Sequence, residues 1–340
     1  IGFMCPGMPQ TANKMADYMG HIMNYGDGVY GGAFVASLYS EAYLQNDIRS
    51  VIEKALLSLP AESGYRRIIE DVIAFHQENP DDWTKCWQML EDKWARANIC
   101  NPGTKYNIDA KLNGAYIVIG LLYGEGDINK TLEISTRCGQ DSDCNPASAA
   151  GILATIQGYS QIPEYWMKNL REVENLNFAY TDMSLNQTYQ TSFKHALQMI
   201  KRNGGSISGD NITIVCQTPV PVRFEQAFEG MFPIGRQEIR KELRHLGSFT
   251  FEGTGIVFTG YIRGAKNYVA QVEMYVDGKI IERAVLPTGK NHRVDLFWKY
   301  QLPEGKHIVT FKWLNPDSNA QIHCNDALIY SNRPLPIPHQ

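Results

Sequence analysis

The chain has 340 residues and a mass of 38.4 kDa, which predicts two domains that each bury a core of their own. Its 44% hydrophobic and 20% charged residues are typical of a soluble globular protein and exclude disordered and collagen-like chains. The net charge of -4 provides no broad basic surface, so nucleic acid is not an expected partner. No apolar run reaches the roughly 20 residues that a membrane-spanning helix needs.

Helical periodicity dominates the first part of the chain. From Thr11 to about Arg202, apolar residues recur at the spacing of a helix bundle. Asp47 is the expected N-cap of one helix, and another is expected after Ser63. Further helices are predicted near residues 81–94, 110–123, 127–137, 146–159 and 185–202.

The periodicity changes to two after residues 203–205 (Asn-Gly-Gly), where short alternating runs of β-branched and aromatic residues begin. This pattern predicts an antiparallel β-sandwich, with Asp277 and Gly278 forming a tight hairpin turn. Residues 237–246 have the pattern of one short amphipathic helix.

The predicted fold is therefore multidomain, with helices first and strands after them. The expected divisions are an all-α domain over residues 1–205, a connecting segment with the first strand or strands over 206–247, and a jelly-roll-like accessory sandwich over 248–335.

The densest group of chemically useful residues lies around Asp141 and Asp143, directly ahead of a helix rich in small residues. Two carboxylates one residue apart can bind the same hard cation, such as Mg²⁺ or Mn²⁺. Asn145 suits an N-cap and Pro146 a first helical position, so the two carboxylates are expected at a helix start. The alternative is that Asp141 and Asp143 only cap that helix and interact with its positive end.

A second group is the stretch Gly-Asp-Gly-Val-Tyr-Gly over residues 26–31, which leads into an apolar helix. A glycine-rich turn before a helix exposes backbone N–H groups that can hold a phosphate, and tyrosines can stack on a base or ribose. The spacing matches neither a Walker nor a Rossmann fingerprint. The alternative is that these glycines only allow helices to pack closely.

The cysteines and the aromatic residues of the sandwich give weaker indications of function. Seven cysteines without a CxxC pair predict buried thiols rather than a disulfide framework or a structural zinc site. In the sandwich, aromatic side chains could stack on a sugar or pack the core, namely Tyr268, Phe297, Trp298 and Trp313.

Four landmarks in order carry a family resemblance over residues 1–205. They are Cys-Pro-Gly-Met-Pro at residues 5–9, the glycine-rich stretch at 26–31, Leu-Leu-Tyr-Gly-Glu-Gly-Asp at 121–127, and Gly-Gln-Asp-Ser-Asp-Cys-Asn at 139–145. In these features the chain resembles the ADP-ribosylglycohydrolase family of bacterial type. The resemblance implies an all-α metalloenzyme that removes ADP-ribose from modified side chains or cleaves related ADP-ribose compounds.

The resemblance also implies two divalent cations, Mg²⁺ or Mn²⁺, with Asp141 and Asp143 at ligand positions. The next ligand in relatives is often Thr, where this chain has Cys144, and a thiol is a poor donor to Mg²⁺. Relatives often have His where this chain has Asn24. The implied substrate-binding residues are Asn24, Gly26, Asp27, Gly28, Tyr30, Gly31, Asn113 and Asn145.

The family's first landmark is an acidic Thr/Asp-Asp motif that supplies the remaining metal ligands, with a catalytic acidic residue nearby. That motif is expected ahead of Ile1, outside this sequence, and Asp109 is isolated and does not replace it. The resemblance thus implies the C-terminal portion of a glycohydrolase domain from a longer parent, with no catalytic residue assigned. The alternative function is a non-catalytic protein that binds ADP-ribose or a glycan, and the sandwich is a candidate site for a glycan or a protein partner.

Overall fold

The computed structural model describes residues 1–96, 108–225, 229–289 and 294–334. The described residues form two compact units, one of residues 1–94 and 108–225 and the other of residues 95–96, 229–289 and 294–334. The first unit is mainly helical and the second is built from strands, so the predicted fold class is confirmed. The division after Glu225 falls inside the predicted connecting segment, 206–247.

The described part of the first unit contains ten α-helices, a short hairpin and two 3₁₀ turns. The helices are α1 (Pro9–Gly20), α2 (Asp27–Ala42), α3 (Ile48–Leu56), α4 (Gly64–Glu78), α5 (Trp83–Trp94), α6 (Ala110–Tyr123), α7 (Ile128–Arg137), α8 (Cys144–Gln157), α9 (Glu164–Val173) and α10 (Leu185–Arg202). The 3₁₀ turns are Gly2–Met4 and Tyr159–Gln161, and the hairpin strands are β1 (Ser206–Ser208) and β2 (Asn211–Thr213).

Local capping explains where several helices begin. The Asp47 carboxylate accepts from the backbone N–H of Ser50 at 2.8 Å, and the Ser63 hydroxyl accepts from the N–H of Arg66 at 3.2 Å. Both predicted caps are therefore confirmed. Helix α9 was not predicted, since it is short and mostly polar and only Met167 of it is buried.

Helix α8 begins earlier than expected. Its first residue is Cys144 and its N-cap position is Asp143, so the expected roles of Asn145 as N-cap and of Pro146 as first helical residue are wrong. Asn145 is buried and its side chain is used elsewhere, as described below. The helix start is thus decided by tertiary contacts of Asn145 rather than by its capping preference.

Helix α6 lies at the centre of the helical unit. All but two of its residues are buried, and it contacts α2, α4, α5, α7 and α8. A helix that is apolar on every side is stable only when neighbours surround it. The surrounding helices therefore hold α6, including its N-terminal end, in place.

The described part of the second unit contains two four-stranded antiparallel sheets that enclose a common core. The strands are β3 (Phe232–Glu242), β4 (Phe249–Gly253), β5 (Gly255–Arg263), β6 (Val269–Val276), β7 (Lys279–Pro287), β8 (Asp295–Lys299), β9 (Gly305–Trp313) and β10 (Gln321–Ser331). The sheet orders are β3-β10-β5-β8 and β4-β9-β6-β7. This strand order, with successive strands distributed over two sheets, is that of a jelly roll.

Two local predictions for the sandwich have opposite outcomes. Asp277 and Gly278 have φ values of 52° and 78°, as a tight two-residue hairpin requires, and they connect β6 to β7. The predicted helix over residues 237–246 is wrong. The chain there is strand β3 followed by the 3₁₀ turn Leu243–His245, because long-range pairing with β10 overrides the local helical pattern.

Three of the four aromatic residues named above for the sandwich pack in or against its core. Phe297 is fully buried in the core and cannot stack on a sugar, so that alternative is wrong for this residue. Trp313 packs against the core, and its indole N–H donates to the Tyr268 hydroxyl at 3.1 Å. Trp298 has 39% of its surface exposed.

Among the described residues, no helix combines the length and the apolar character needed to cross a membrane. The cysteines within the described ranges are free thiols, and four of them are buried, namely Cys5, Cys86, Cys138 and Cys324. This confirms the expectation that most of the cysteines are buried thiols.

Candidate functional site

The acidic turn (residues 139–143) connects α7 to α8. Gly139 and Gln140 have φ values of 89° and 55°, a left-handed backbone that favours glycine at the first position. This reversal brings Asp141, Asp143 and Cys144 to one side, where their ligand atoms lie within 4.8 Å of one another. The sequence-predicted metal residues are therefore brought together by the turn.

The side chains of Asp141 and Asp143 contribute little to the capping of α8. Asp143 makes no side-chain capping hydrogen bond, and the Asp141 carboxylate accepts a long bond of 3.4 Å from the N–H of Cys144 and a hydrogen bond from the Cys144 thiol. Asp143 and Cys144 are exposed and Asp141 is half-buried. Capping thus leaves carboxylate oxygens of both residues available to a ligand.

The donor set fits part of the coordination shell of a hard cation. Two carboxylates suit Mg²⁺ or Mn²⁺, which take six oxygen ligands in total and commonly keep several waters. Hydrogen bonding to Asp141, together with the charges of Asp141 and Asp143, raises the pKa of Cys144, which favours the neutral thiol, a poor donor to Mg²⁺. Asp141 and Asp143 are therefore the better ligands, and a second ion would need further donors.

Asn113, from α6, fixes the acidic turn. Its side-chain oxygen accepts from the backbone N–H of Asp141 at 3.2 Å and from the Asn145 amide at 2.7 Å. Its own amide group donates to the Gln140 side chain at 3.2 Å and to the Asp109 carbonyl at 3.0 Å. Three of the predicted site residues, Asn113, Asp141 and Asn145, are thus joined in one network.

A buried lysine connects this network to α2. Lys111 has 5% of its side chain exposed, and its ammonium group lies 3.0 Å from Asp27 Oδ2 and 3.2 Å from Asp109 Oδ2. Burial alone would lower the pKa of Lys111, but the two carboxylates outweigh it and the pKa is raised. Asp109 also caps α6 through the N–H groups of Lys111 and Leu112.

The beginnings of α2, α6 and α8 are therefore neighbours. Asp27 starts α2, Asp109 caps α6, and the backbone N–H of Asp109 donates to Gln140 of the acidic turn at 3.1 Å. A helix start carries partial positive charge, and at α6 two of the N–H groups are already paired with Asp109. The convergence of the three helix starts favours anionic groups at this end of α6.

The glycine-rich segment (residues 24–31) precedes and begins α2. Gly26 has φ 55° and ψ -121°, a backbone conformation that only glycine adopts readily. A Cβ atom on Gly28 would lie 2.7 Å from the exposed side chain of Asn24, and one on Gly31 would touch Tyr65 at 3.4 Å. Close packing is therefore one role of these glycines.

Glu225 occupies the start of this segment from a position 199 residues away in sequence. Its carboxylate accepts from the Gly26 N–H at 2.9 Å, and its own backbone N–H donates to the Tyr30 hydroxyl at 2.6 Å. Tyr30 is buried. Two of the residues predicted to bind substrate, Gly26 and Tyr30, are thus engaged by the protein's own chain, while Asp27 pairs with Lys111.

The Glu225 carboxylate is only 2% exposed and has two basic partners, His21 at 2.7 Å and Arg223 at 3.0 Å. Burial would raise the pKa of Glu225, but the hydrogen bonds from Gly26, Arg223 and His21 lower it overall. The backbone carbonyl of Asp17, followed by Glu225, raises the pKa of His21. Both ring nitrogens of His21 face acceptors, so both bonds form together only in the imidazolium.

Sequence reasoning did not identify Lys111, Gln140, His21 or Glu225. A single lysine in the first turn of an otherwise apolar helix was a usable signal for Lys111, because a buried ammonium needs carboxylate partners. No sequence signal relates Glu225 to residues so distant along the chain.

Comparison with known protein families gives a match within the first unit. Residues 1–194 match the family model described as ADP-ribosylglycohydrolase. The chain belongs to the ADP-ribosylglycohydrolase family. The matched glycohydrolase region contains the acidic turn, the Asn113 network and the glycine-rich segment, whereas Glu225 lies beyond it.

Other comparisons add little to the glycohydrolase assignment. No curated protein matches this chain. A solved structure titled as a Corynascus thermopiles (Myceliophthora fergusii) carbohydrate esterase family 2 enzyme plus carbohydrate binding domain matches 28% of this chain and 30% of its own at 20% identity. Its TM-score of 0.21 is too low to bear on fold or function.

Proposed function

We propose that this glycohydrolase hydrolyses the glycosidic bond between ADP-ribose and a modified side chain, or cleaves a related ADP-ribose compound, in a reaction that depends on Mg²⁺ or Mn²⁺. The observation that carries the proposal is the grouping of Asp141 and Asp143 on a turn inside the family-matched region. Within the described residues neither carboxylate forms an ion pair, Asp143 makes no capping hydrogen bond, and Asp141 accepts one long bond of 3.4 Å from the start of α8.

Asp141 and Asp143 would hold the cation, with water or substrate oxygens completing its shell. When bound, such an ion polarises hydroxyl groups of the ribose and lowers the pKa of a water molecule. Asn113, on α6, holds the backbone of Asp141 and the side chain of Asn145, so the acidic turn is fixed against the start of α6. Preorganisation of this kind avoids a cost of reorganisation during the reaction.

The convergence of helix starts suits an ADP-ribose substrate in particular. The diphosphate is anionic, and the N-terminal ends of α2, α6 and α8 lie close together. Helix N-termini are favourable places for phosphate groups. We therefore place the diphosphate on this side of α6 and the ribose toward the acidic turn.

The test measures ADP-ribose release from peptides ADP-ribosylated on arginine or serine, with Mg²⁺, Mn²⁺ or a chelator. We expect release only with a divalent cation, and loss of release in Asp141→Asn and Asp143→Asn. The same variants should lose the rise in melting temperature that the cation gives the unaltered protein. Asp210→Asn, at an exposed carboxylate in the β1–β2 turn, is the matched control.

Two results contradict the proposal. Absence of ADP-ribose release from both peptides by the metal-saturated protein rejects hydrolysis at modified arginine and serine side chains. Unchanged stabilisation by the cation in both Asp variants rejects the ligand assignment, whatever the activity.

A further inference from the structure

A segment outside the family-matched region lies along the helical unit. We call residues 214–225 the strap. Its backbone is attached at two points, where the N–H of Gln217 donates to the Gly7 carbonyl at 2.9 Å and the N–H of Val222 donates to the Ser58 carbonyl at 3.0 Å. The strap ends at Glu225, on the glycine-rich segment.

The Glu225 carboxylate has the surroundings of a built anion site. It is buried, it receives the Gly26 N–H, and it lies between the basic side chains of His21 and Arg223. Helix α2 has no side-chain cap from its own N-cap residue, Gly26. The strap therefore supplies, from far along the chain, the negative charge that stabilises the start of this helix.

The same residue also fixes Tyr30 one turn into α2. The Glu225 N–H donates to the Tyr30 hydroxyl, while the carboxylate holds Gly26, so both ends of the first helical turn are attached to one residue. Gly26 lies in a conformation open mainly to glycine, and fixing a glycine costs more conformational entropy than fixing other residues, so the contacts from Glu225 offset part of that cost. A contact that holds Gly26 therefore fixes the direction of the backbone N–H groups that follow it.

We infer that Glu225 is a positioning residue that sets the conformation of the glycine-rich segment, so that the strap is a working part of the glycohydrolase site. The consequence for ADP-ribose binding rests on the proposed function. The effect on the segment itself does not, because all the contacts that carry it are within the protein.

The experiment compares Glu225→Ala, Glu225→Gln and the control Gln217→Ala. Gln217 belongs to the same strap, but its side chain contacts Thr11 and Asn203 rather than the glycine-rich segment. Glu225→Gln keeps an acceptor for the Gly26 N–H and loses the charge. It also provides a readable variant if Glu225→Ala does not fold.

Amide hydrogen exchange of the unliganded protein is the first readout. We expect exchange over residues 24–31 to accelerate by about tenfold or more in Glu225→Ala, less in Glu225→Gln and not in Gln217→Ala. Equal exchange in the unaltered protein and both Glu225 variants overturns the inference. Equal acceleration in Gln217→Ala overturns it as well, because it would assign the effect to the strap as a whole.

Titration with ADP-ribose in the presence of Mg²⁺ is the second readout. We expect the dissociation constant to rise by about tenfold in Glu225→Ala, with partial rescue in Glu225→Gln. If the unaltered protein binds ADP-ribose and Glu225→Ala binds it equally well, the inference about Glu225 is rejected and the proposed function is not. Absence of binding by the unaltered protein rejects the proposed substrate, while hydrogen exchange still decides the role of Glu225.

Discussion

The glycine-rich segment and the acidic turn are held in different ways. Asp27 and Glu225, which hold the glycine-rich segment, have basic partners in Lys111, His21 and Arg223. The acidic turn is held by neutral amide groups, and within the described residues its two carboxylates form no ion pair. One region has its charges satisfied internally, and the other presents charges that still need a partner.

This difference separates positioning from ligand binding. Buried charges are stable only when paired, so the pairs around the glycine-rich segment fix the relative positions of helix starts. Exposed carboxylates held close together repel each other unless a cation joins them. We interpret the first region as the frame of the site and the second as its reactive part.

The largest effect is expected from breaking the frame at Lys111. Lys111→Met removes the ammonium group and leaves Asp109 buried without its charged partner. Breaking a buried pair from one side costs about 3–5 kcal/mol. Chemical denaturation should show a loss of this size in the free energy of unfolding.

Lys130→Met is the matched control for Lys111→Met. Lys130 pairs with Glu125 at 3.1 Å, and both side chains are more than half exposed. An exposed pair contributes about 0–1 kcal/mol. If Lys111→Met costs no more than Lys130→Met, the buried lysine does not fix the frame.

A smaller effect is expected where neutral groups hold the acidic turn. Asn113→Ala removes the acceptor of the buried Asn145 amide, which costs about 1–3 kcal/mol when the donor stays unsatisfied. In Asn113→Ala/Asn145→Ala that donor is also gone, so the double variant should lose less stability than the two single variants summed. Additive losses in denaturant titrations would show that the two side chains do not act together.

Much of the helical unit could be predicted because its signals are local. The limits of α6 and α10 and the caps Asp47 and Ser63 depend on residues within one turn, and the grouping of Asp141 with Asp143 depends on a single loop. Local patterns of apolar spacing and capping decide such features.

Other features depend on pairing over long distances and could not be predicted. Strand β3 has a helical apolar pattern but pairs with β10, some 90 residues later. Asn145 has a good N-cap side chain but is drawn to Asn113. Glu225 reaches Gly26 across most of the helical unit's sequence, and nothing in the residues around either position indicates the contact.

The smallest effect concerns the ion pair of the frame that is itself pH-sensitive, His21 with Glu225. The groups that face His21 are Asp17 on α1, and Glu225, whose other basic partner is Arg223. Since the pKa of His21 is raised in the folded protein, its contribution is full below about pH 6.5 and is lost as pH rises through the folded value. Since the pKa of Glu225 is lowered, its contribution is present above about pH 4.3 and is lost as pH falls through its folded value.

The pair is therefore strongest between about pH 4.3 and 6.5. The melting temperature of the unaltered protein should exceed that of His21→Gln most in this window, and the excess should shrink toward pH 9. His195→Gln, at an exposed histidine on α10, should differ from the unaltered protein by an amount that does not follow this curve. A difference between the unaltered protein and His21→Gln that stays constant from pH 5 to pH 9 would show that the imidazolium does not hold Glu225, and that the Gly26 N–H and Arg223 are sufficient partners for its carboxylate.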